Sequence, residues 1–271
     1  MTYDQLMQHA EDMRRSAIAV AMAGMHGDPR RRRAVEREFA DVPDAFRPLT
    51  GFADPAGFDA RIDGVTDVLR GLSTGDGSDL AVPANPELAR FAGVSVALRA
   101  WTGPAAQRFR DGFLEPWPAL VRNQYTAGVV LRSALRAQQE IWARARQDAD
   151  QIAEQGLAAV RACGDCTRTE WSVTFTVVAS VAAVAAMPAT GGLSLAAGSV
   201  AAVAQVMAAT GPAEAPRTSF SADDPVEVVD RVREAIAQLR GHVRQRCDAV
   251  GEALRTTGRL MADRPELFGW R

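Results

Sequence analysis

The sequence predicts an all-α protein: a long antiparallel helical hairpin or bundle with a sharp turn at Trp101-Thr102-Gly103 and an inserted apolar helical hairpin. Three observations predict it. Apolar residues make up 47% of the 271 residues and aromatics only 6%, so the apolar content is mostly aliphatic and rich in alanine, the best helix former. Apolar positions recur every three or four residues over long stretches, the period of one helix face. Helix starts recur as a polar cap followed by proline, at Asp28-Pro29, Asn85-Pro86 and Asp224-Pro225. No convincing set of alternating strands stands out, which leaves long helices packed side by side.

In chain order, Tyr3, Leu6, Ala10, Met13, Ala17 and Val20 give a first helix, about Thr2 to Met25, one apolar face. The run Ser16 to Met25 behind Arg14-Arg15 imitates a signal peptide, but Asp4, Glu11 and Asp12 precede it and the period is helical. A charged helix follows from Pro29 to Phe39. Residues 40–57, dense in Pro, Asp and Gly, read as a loop, and Gly57 to Leu72 as a short helix with Phe58, Ile62, Val65 and Leu69 on one face. Residues 73–84 are a linker.

Asn85-Pro86 opens a helix carrying Leu88, Phe91, Val94 and Leu98 that ends near Trp101. Pro104 reopens one, and Pro116 and Pro118 break or kink it. From Leu120 to Cys163 a seam runs through Leu131, Leu135, Gln138, Trp142, Ala145, Ala149, Ile152, Gly156 and Val160, a coiled-coil-like pattern that needs a partner helix. Residues 173–209 contain no charged side chain and divide into two arms at Pro188-Ala189-Thr190-Gly191-Gly192. Residues 210–222 read as a second linker. In the last helix Asp224 and Glu227 form a capping-box pair, and Val229, Val232, Ile236, Leu239, Val243, Cys247, Val250 and Leu254 share a face. Four regions result: an N-terminal helical region (1–80), the Trp-x-Gly hairpin (81–165), the apolar insert (166–218) and a C-terminal helix packing on the bundle (219–271).

The chemistry the sequence excludes is as informative. Net charge is −2 with charged residues at 24%, so no global field points at nucleic acid or an acidic surface. All 31 basic residues are arginine, which rules out Schiff bases, a phosphate-loop lysine and a lysine general base. Arg30-Arg31-Arg32-Arg33 is flanked by Asp28, Glu36, Glu38 and Asp41, and reads as a largely neutralised, solvated helix surface. Cys163-Gly-Asp-Cys166 has redox or half-zinc spacing, but only Cys247, His9, His26 and His242 remain as further ligands, so no metal and no cofactor are expected. Of the paired acids, Asp223-Asp224 caps a helix and Asp148 with Asp150 falls on an exposed face. No nucleophile with a base, phosphate loop or dinucleotide fingerprint is present, so no catalytic residue is assigned and the protein is read as non-enzymatic.

The sharpest motif is Trp101-Thr102-Gly103-Pro104-Ala105-Ala106-Gln107-Arg108-Phe109. Gly103 permits a chain reversal, Ala105 and Ala106 let helices approach, and Trp101 and Phe109 staple the bend. Truncating Trp101 is expected to cost what a large buried aromatic costs, about 3–5 kcal/mol. On these residues, over about 85–165, the chain resembles the Trp-x-Gly family of helical-hairpin proteins handled by type VII (ESX) secretion systems. The later plan is similar to larger members with an apolar insert and a final helix. The family's tyrosine followed four residues later by an acid is absent: Met7 follows Tyr3 and Val129 follows Tyr125.

The resemblance implies assembly with a protein partner or a second copy through long helix faces. It further implies a cytoplasmic location before export and a secreted or cell-surface one after it. The alternative is a membrane-active, pore-forming or effector-delivery component. In that reading residues 173–209 form a sheltered hairpin with Pro188, Gly191 and Gly192 at its tip, entering a membrane only on assembly. The arms, about 15 and 17 residues, fall short of a confident bilayer span.

Overall fold

The computed structural model describes residues 2–23, 29–74, 83–163, 169–178 and 215–269. These are predominantly helical. The helices are α1 (Tyr3–Met22), α2 (Pro29–Glu38), α3 (Val42–Phe46), α4 (Asp59–Leu72), α5 (Pro86–Ala97), α6 (Pro104–Phe109), α7 (Trp117–Ala162) and α8 (Pro225–Asp263). Two strands, β1 (Thr169–Thr174) and β2 (Arg217–Ala222), pair antiparallel. The chain forms two compact units. The first draws its described residues from Met1–Pro55, Gln139–Val181 and Pro212–Cys247, and the second from Ala56–Gln138 and Asp248–Arg271.

Local caps set several helix starts. Thr2 and Gln5 form a reciprocal capping box at α1. The Asn85 carboxamide accepts from the Glu87 amide at 3.0 Å, with Pro86 in the first turn of α5. The Asp224 carboxylate accepts from the Glu227 amide at 2.9 Å while Glu227 accepts from the Asp223 amide at 3.0 Å, opening α8. Pro118 sits in the first turn of α7, where its missing N–H costs nothing.

In the first unit α1 buries Leu6, Ala10, Met13 and Ala17 and packs on α3. Its core also holds Phe39, Phe46, Leu49, Ile152, Val160, Val232 and Leu239. Gly156 marks the closest approach: a Cβ there would lie 2.6 Å from Val232 Cγ2 and 2.8 Å from Met13 Cε. Three helices, α1, α7 and α8, therefore meet at a position where an added methyl group would have to displace Val232 and Met13. In the second unit Leu69 of α4 and Val129 of α7 form a small core with Val65 and Tyr125 against it. Asn123 and Gln124 of α7 donate to the Leu267 and Phe268 carbonyls at 2.8 and 2.7 Å.

Three expectations need correction. Residues 40–57 are not simply a loop: α3 and 3-10 turns at Arg47–Gly51 and Pro55–Phe58 occupy much of them. Phe39, Val42, Phe46, Leu49 and Phe52 are all buried, and their spacing of three or four is a helical period that the prolines and glycines disguise.

Second, the strand pair lies where no strand was expected, one strand running into the start of the apolar stretch and the other in the second linker. Trp171, Val173 and Phe175 are buried and alternate with half-buried Ser172 and Thr174, the period of two that a one-sided strand requires. Trp171 stacks on Phe220, its partner in register, at a centroid distance of 4.4 Å.

Third, the α7 seam follows Val130, Ala134, Ala137 and Ile141 before it joins Ala145, Ala149, Ile152 and Val160; Leu131 is exposed. A seam drawn through the larger side chains missed the alanines that pack.

Candidate interaction surface

The chain from Asn85 to Trp117 carries half of the exposed large apolar side chains among the described residues. Val94, Val96, Trp101 and Phe109 are 43%, 57%, 43% and 37% exposed. Asn85 anchors the start of this segment within its unit: its amide donates to the Ser73 carbonyl and its side chain to the Gly71 carbonyl, both at 2.7 Å. α5 ends in a 3-10 turn, Leu98–Ala100, and the chain extends through Trp101. Gly103 then adopts φ +103°, a conformation closed to most L-residues, and Pro104 starts α6. A π-helical turn, Arg110–Leu114, leads from α6 toward α7. π-Turns insert an extra residue per turn and shift the faces beyond them.

The aromatic rings along this path touch in sequence. Trp101 meets Phe109 at 5.8 Å, Phe109 stacks on Phe113 at 5.2 Å, and Phe113 meets Trp117 at 5.6 Å. Phe91 of α5 closes the group, 6.0 Å from Phe113 and 4.7 Å from Trp117. The Arg110 guanidinium donates to the Trp101 carbonyl at 3.3 Å.

Of the motif residues, Trp101, Gly103 and Phe109 are brought together around the bend. Ala106 is buried, whereas Ala105 is exposed. The expected burial of Trp101 is corrected. With 43% of its surface in water, its truncation removes a partly wet contact rather than a core side chain. The tip residues Pro188, Gly191 and Gly192, with the rest of the arms from residue 179 onward, lie outside the described residues, as does Cys166. No helix among the described residues is long and apolar enough to cross a membrane. Among them, no three His, Cys, Asp or Glu side chains cluster as metal ligands would.

Sequence reasoning also missed a polar site in the first unit. Asp148, assigned above to an exposed face, is completely buried. Its carboxylate accepts the Thr176 amide at 3.0 Å, the Thr176 hydroxyl at 2.7 Å and the Val177 amide at 2.9 Å. These donors belong to a 3-10 turn, Thr176–Val178, that follows β1. The carboxylate thus caps that turn as an N-cap side chain caps a helix. The signal was present, since Ala145, Asp148 and Ile152 share the seam's spacing.

Burial pushes the Asp148 carboxyl above its ordinary pKa, while the Thr176 hydroxyl and the two amides pull it down. From α8, His242 packs its ring on Phe175 at 5.2 Å. Burial pushes its imidazole pKa down and the nearby Arg246 charge adds to this, against the opposing pull of Asp148. Arg246 is itself 6% exposed, and its Nε has no hydrogen-bond partner. The arrangement is a clamp between α7 and the 3-10 turn that follows β1.

Comparison with known proteins finds no matching family model, no matching characterised protein and no matching solved structure.

Proposed function

We propose that the chain is a non-enzymatic Trp-x-Gly-type partner or substrate of a type VII secretion system, acting by helix-to-helix assembly. The observation that carries this reading is the ring ladder about Gly103. Phe91 before the bend touches Phe113 and Trp117 after it, and Trp101 touches Phe109 across it. Contacts placed nearly symmetrically about a glycine at φ +103° are what a helical hairpin with its bend at Trp-x-Gly makes. The rings at the bend stay partly in water, and partly exposed aromatics at a rigid turn are the residues a partner helix buries best.

The test is expression in a host with an active type VII system, with mass spectrometry of cytosol, medium and co-purified proteins. The expected result is a stoichiometric complex with a second Trp-x-Gly protein. A Trp101→Ala, Phe109→Ala double variant that keeps wild-type helicity should lose that complex. A chain that stays monomeric and cytosolic in such a host would refute the proposal.

A further inference from the structure

A single arginine interrupts the apolar seam of α8. Leu239, Val243, Arg246 and Val250 follow one another at the spacing of one helix face, and all four are buried. Spacing among apolar residues places Cys247 in that seam; the structure leaves Cys247 half-buried and turns Arg246 inward, 6% exposed. Among the described residues Arg246 has no ion pair, and its Nε, shut off from water, has no hydrogen-bond acceptor. The acids nearest along the two helices are engaged elsewhere or face water. Asp148 of α7 binds Thr176 and Val177, Glu140 of α7 pairs with Arg144, Glu252 of α8 pairs with Arg255 and Arg259, and Asp248 is exposed. The chain from Phe175 to Ala209 has no charged side chain to offer. Burial pushes the Arg246 guanidinium pKa below its ordinary value, and no carboxylate acts on it strongly enough to push back.

This is a buried charge without a counter-charge. A protein meets such a charge by pairing it or by shifting its pKa until it is neutral. A lysine can take the second way. An arginine cannot, because its guanidinium stays protonated throughout the range in which proteins fold. A water molecule would satisfy the Nε–H and leave the charge uncompensated. The missing group must therefore be negative. One turn earlier on the same face stands His242, its ring packed on Phe175 at 5.2 Å. Burial and the Arg246 charge keep that imidazole neutral near pH 7, against the weaker pull of Asp148, so it brings an N–H donor and no second positive charge.

We infer that Arg246, with His242 beside it, forms a buried binding site for a small monovalent inorganic anion, chloride. One chloride balances one guanidinium and accepts the orphaned Nε–H at the same time. Phosphate is the poorer fit, because a second negative charge has no partner there and desolvating it costs more. With 6% of Arg246 exposed, the opening suits a bare ion rather than the side chain of another protein. The bound ion stabilises the first unit by completing the seam between α8 and the turn that His242 touches through Phe175. The inference is independent of the Trp-x-Gly reading.

The test is thermal unfolding of the full chain at fixed ionic strength, with chloride exchanged for gluconate, together with the NMR line width of chloride in the presence of the folded protein. Chloride at about thirtyfold its dissociation constant should raise the melting temperature by roughly 4 °C. The protein should also broaden the chloride line. Arg246→Met keeps an apolar stem of similar length and removes the charge. It should melt in gluconate at or above the wild-type temperature, show no response to chloride and leave the chloride line narrow. Arg240→Gln, which removes an exposed charge from the same helix, should respond like the wild type. Equal melting of the wild type in chloride and gluconate, an unbroadened line, or an undiminished response in Arg246→Met would overturn the inference. So would a larger shift with inorganic phosphate than with chloride at the same ionic strength. An Arg246→Met chain that fails to fold in gluconate would overturn it too, by showing that the guanidinium already has its counter-charge within the chain.

Discussion

One oxygen of Asp148, on α7, accepts both the backbone N–H and the hydroxyl of Thr176, at 3.0 and 2.7 Å, while the other oxygen accepts the Val177 amide. The carboxylate is desolvated, but removing it strands two amide donors and a hydroxyl. That penalty outweighs the relief, because each buried unsatisfied group costs about 1–3 kcal/mol. Asp148→Ala should therefore destabilise the chain by about 3 kcal/mol and Thr176→Val by about 1 kcal/mol. Urea unfolding measures both, and an Asp148→Ala protein as stable as wild type would show that the clamp carries no weight.

Stability should depend on His242 below neutrality. Its folded pKa lies below the ordinary 6.5, so the unfolded chain takes up the proton first. Its contribution is fully present above that value and is lost as pH falls toward the folded pKa. Asp148 has the opposite sign: its folded pKa is raised, so its contribution falls as pH rises through the window above the ordinary 3.8. His242→Phe should flatten the decline that wild type shows from about pH 7 to about pH 5. Parallel wild-type and variant curves over that range would contradict this.

Two glycines should respond to alanine in opposite directions. At Gly156 the new methyl meets Val232 and Met13 well inside contact distance. The roughly 1 kcal/mol that alanine adds in a helix is then outweighed by overpacking, about 1–3 kcal/mol. Nothing lies within 4 Å of a Cβ at Gly241, on α8, so Gly241→Ala should stabilise by about 0.5–1 kcal/mol. Thermal melts of the two variants should bracket wild type.

Trp101→Ala should lower stability by only about 1 kcal/mol, because the ring is 43% exposed and its nearest ring lies 5.8 Å away. Gly103→Ala should cost as much or more without touching any side chain, since alanine at φ +103° is strained. A loss of several kcal/mol for Trp101→Ala would mean that the ring is buried in solution, as it would be in a self-associated form.

What the sequence determined by itself is whatever depends on near neighbours along the chain. The caps at Asn85 and Asp224 join residues two or three apart, and the faces of α1 and α8 follow from spacing alone. The glycine between α5 and α6 was equally legible, because only glycine takes the backbone angle of Gly103 easily. Tertiary structure decided the rest, through pairs that lie far apart. β1 and β2 read as ends of an apolar stretch and a linker until Trp171 finds Phe220. Asp148 is surface or core according to whether Thr176, 28 residues on, supplies donors. Asp41 reads as a neighbour of the α2 arginines, but it pairs with Arg233, 192 residues away. Hydrogen bonds and charges act over a few ångströms of space, and sequence spacing predicts that distance only within a helical turn or two.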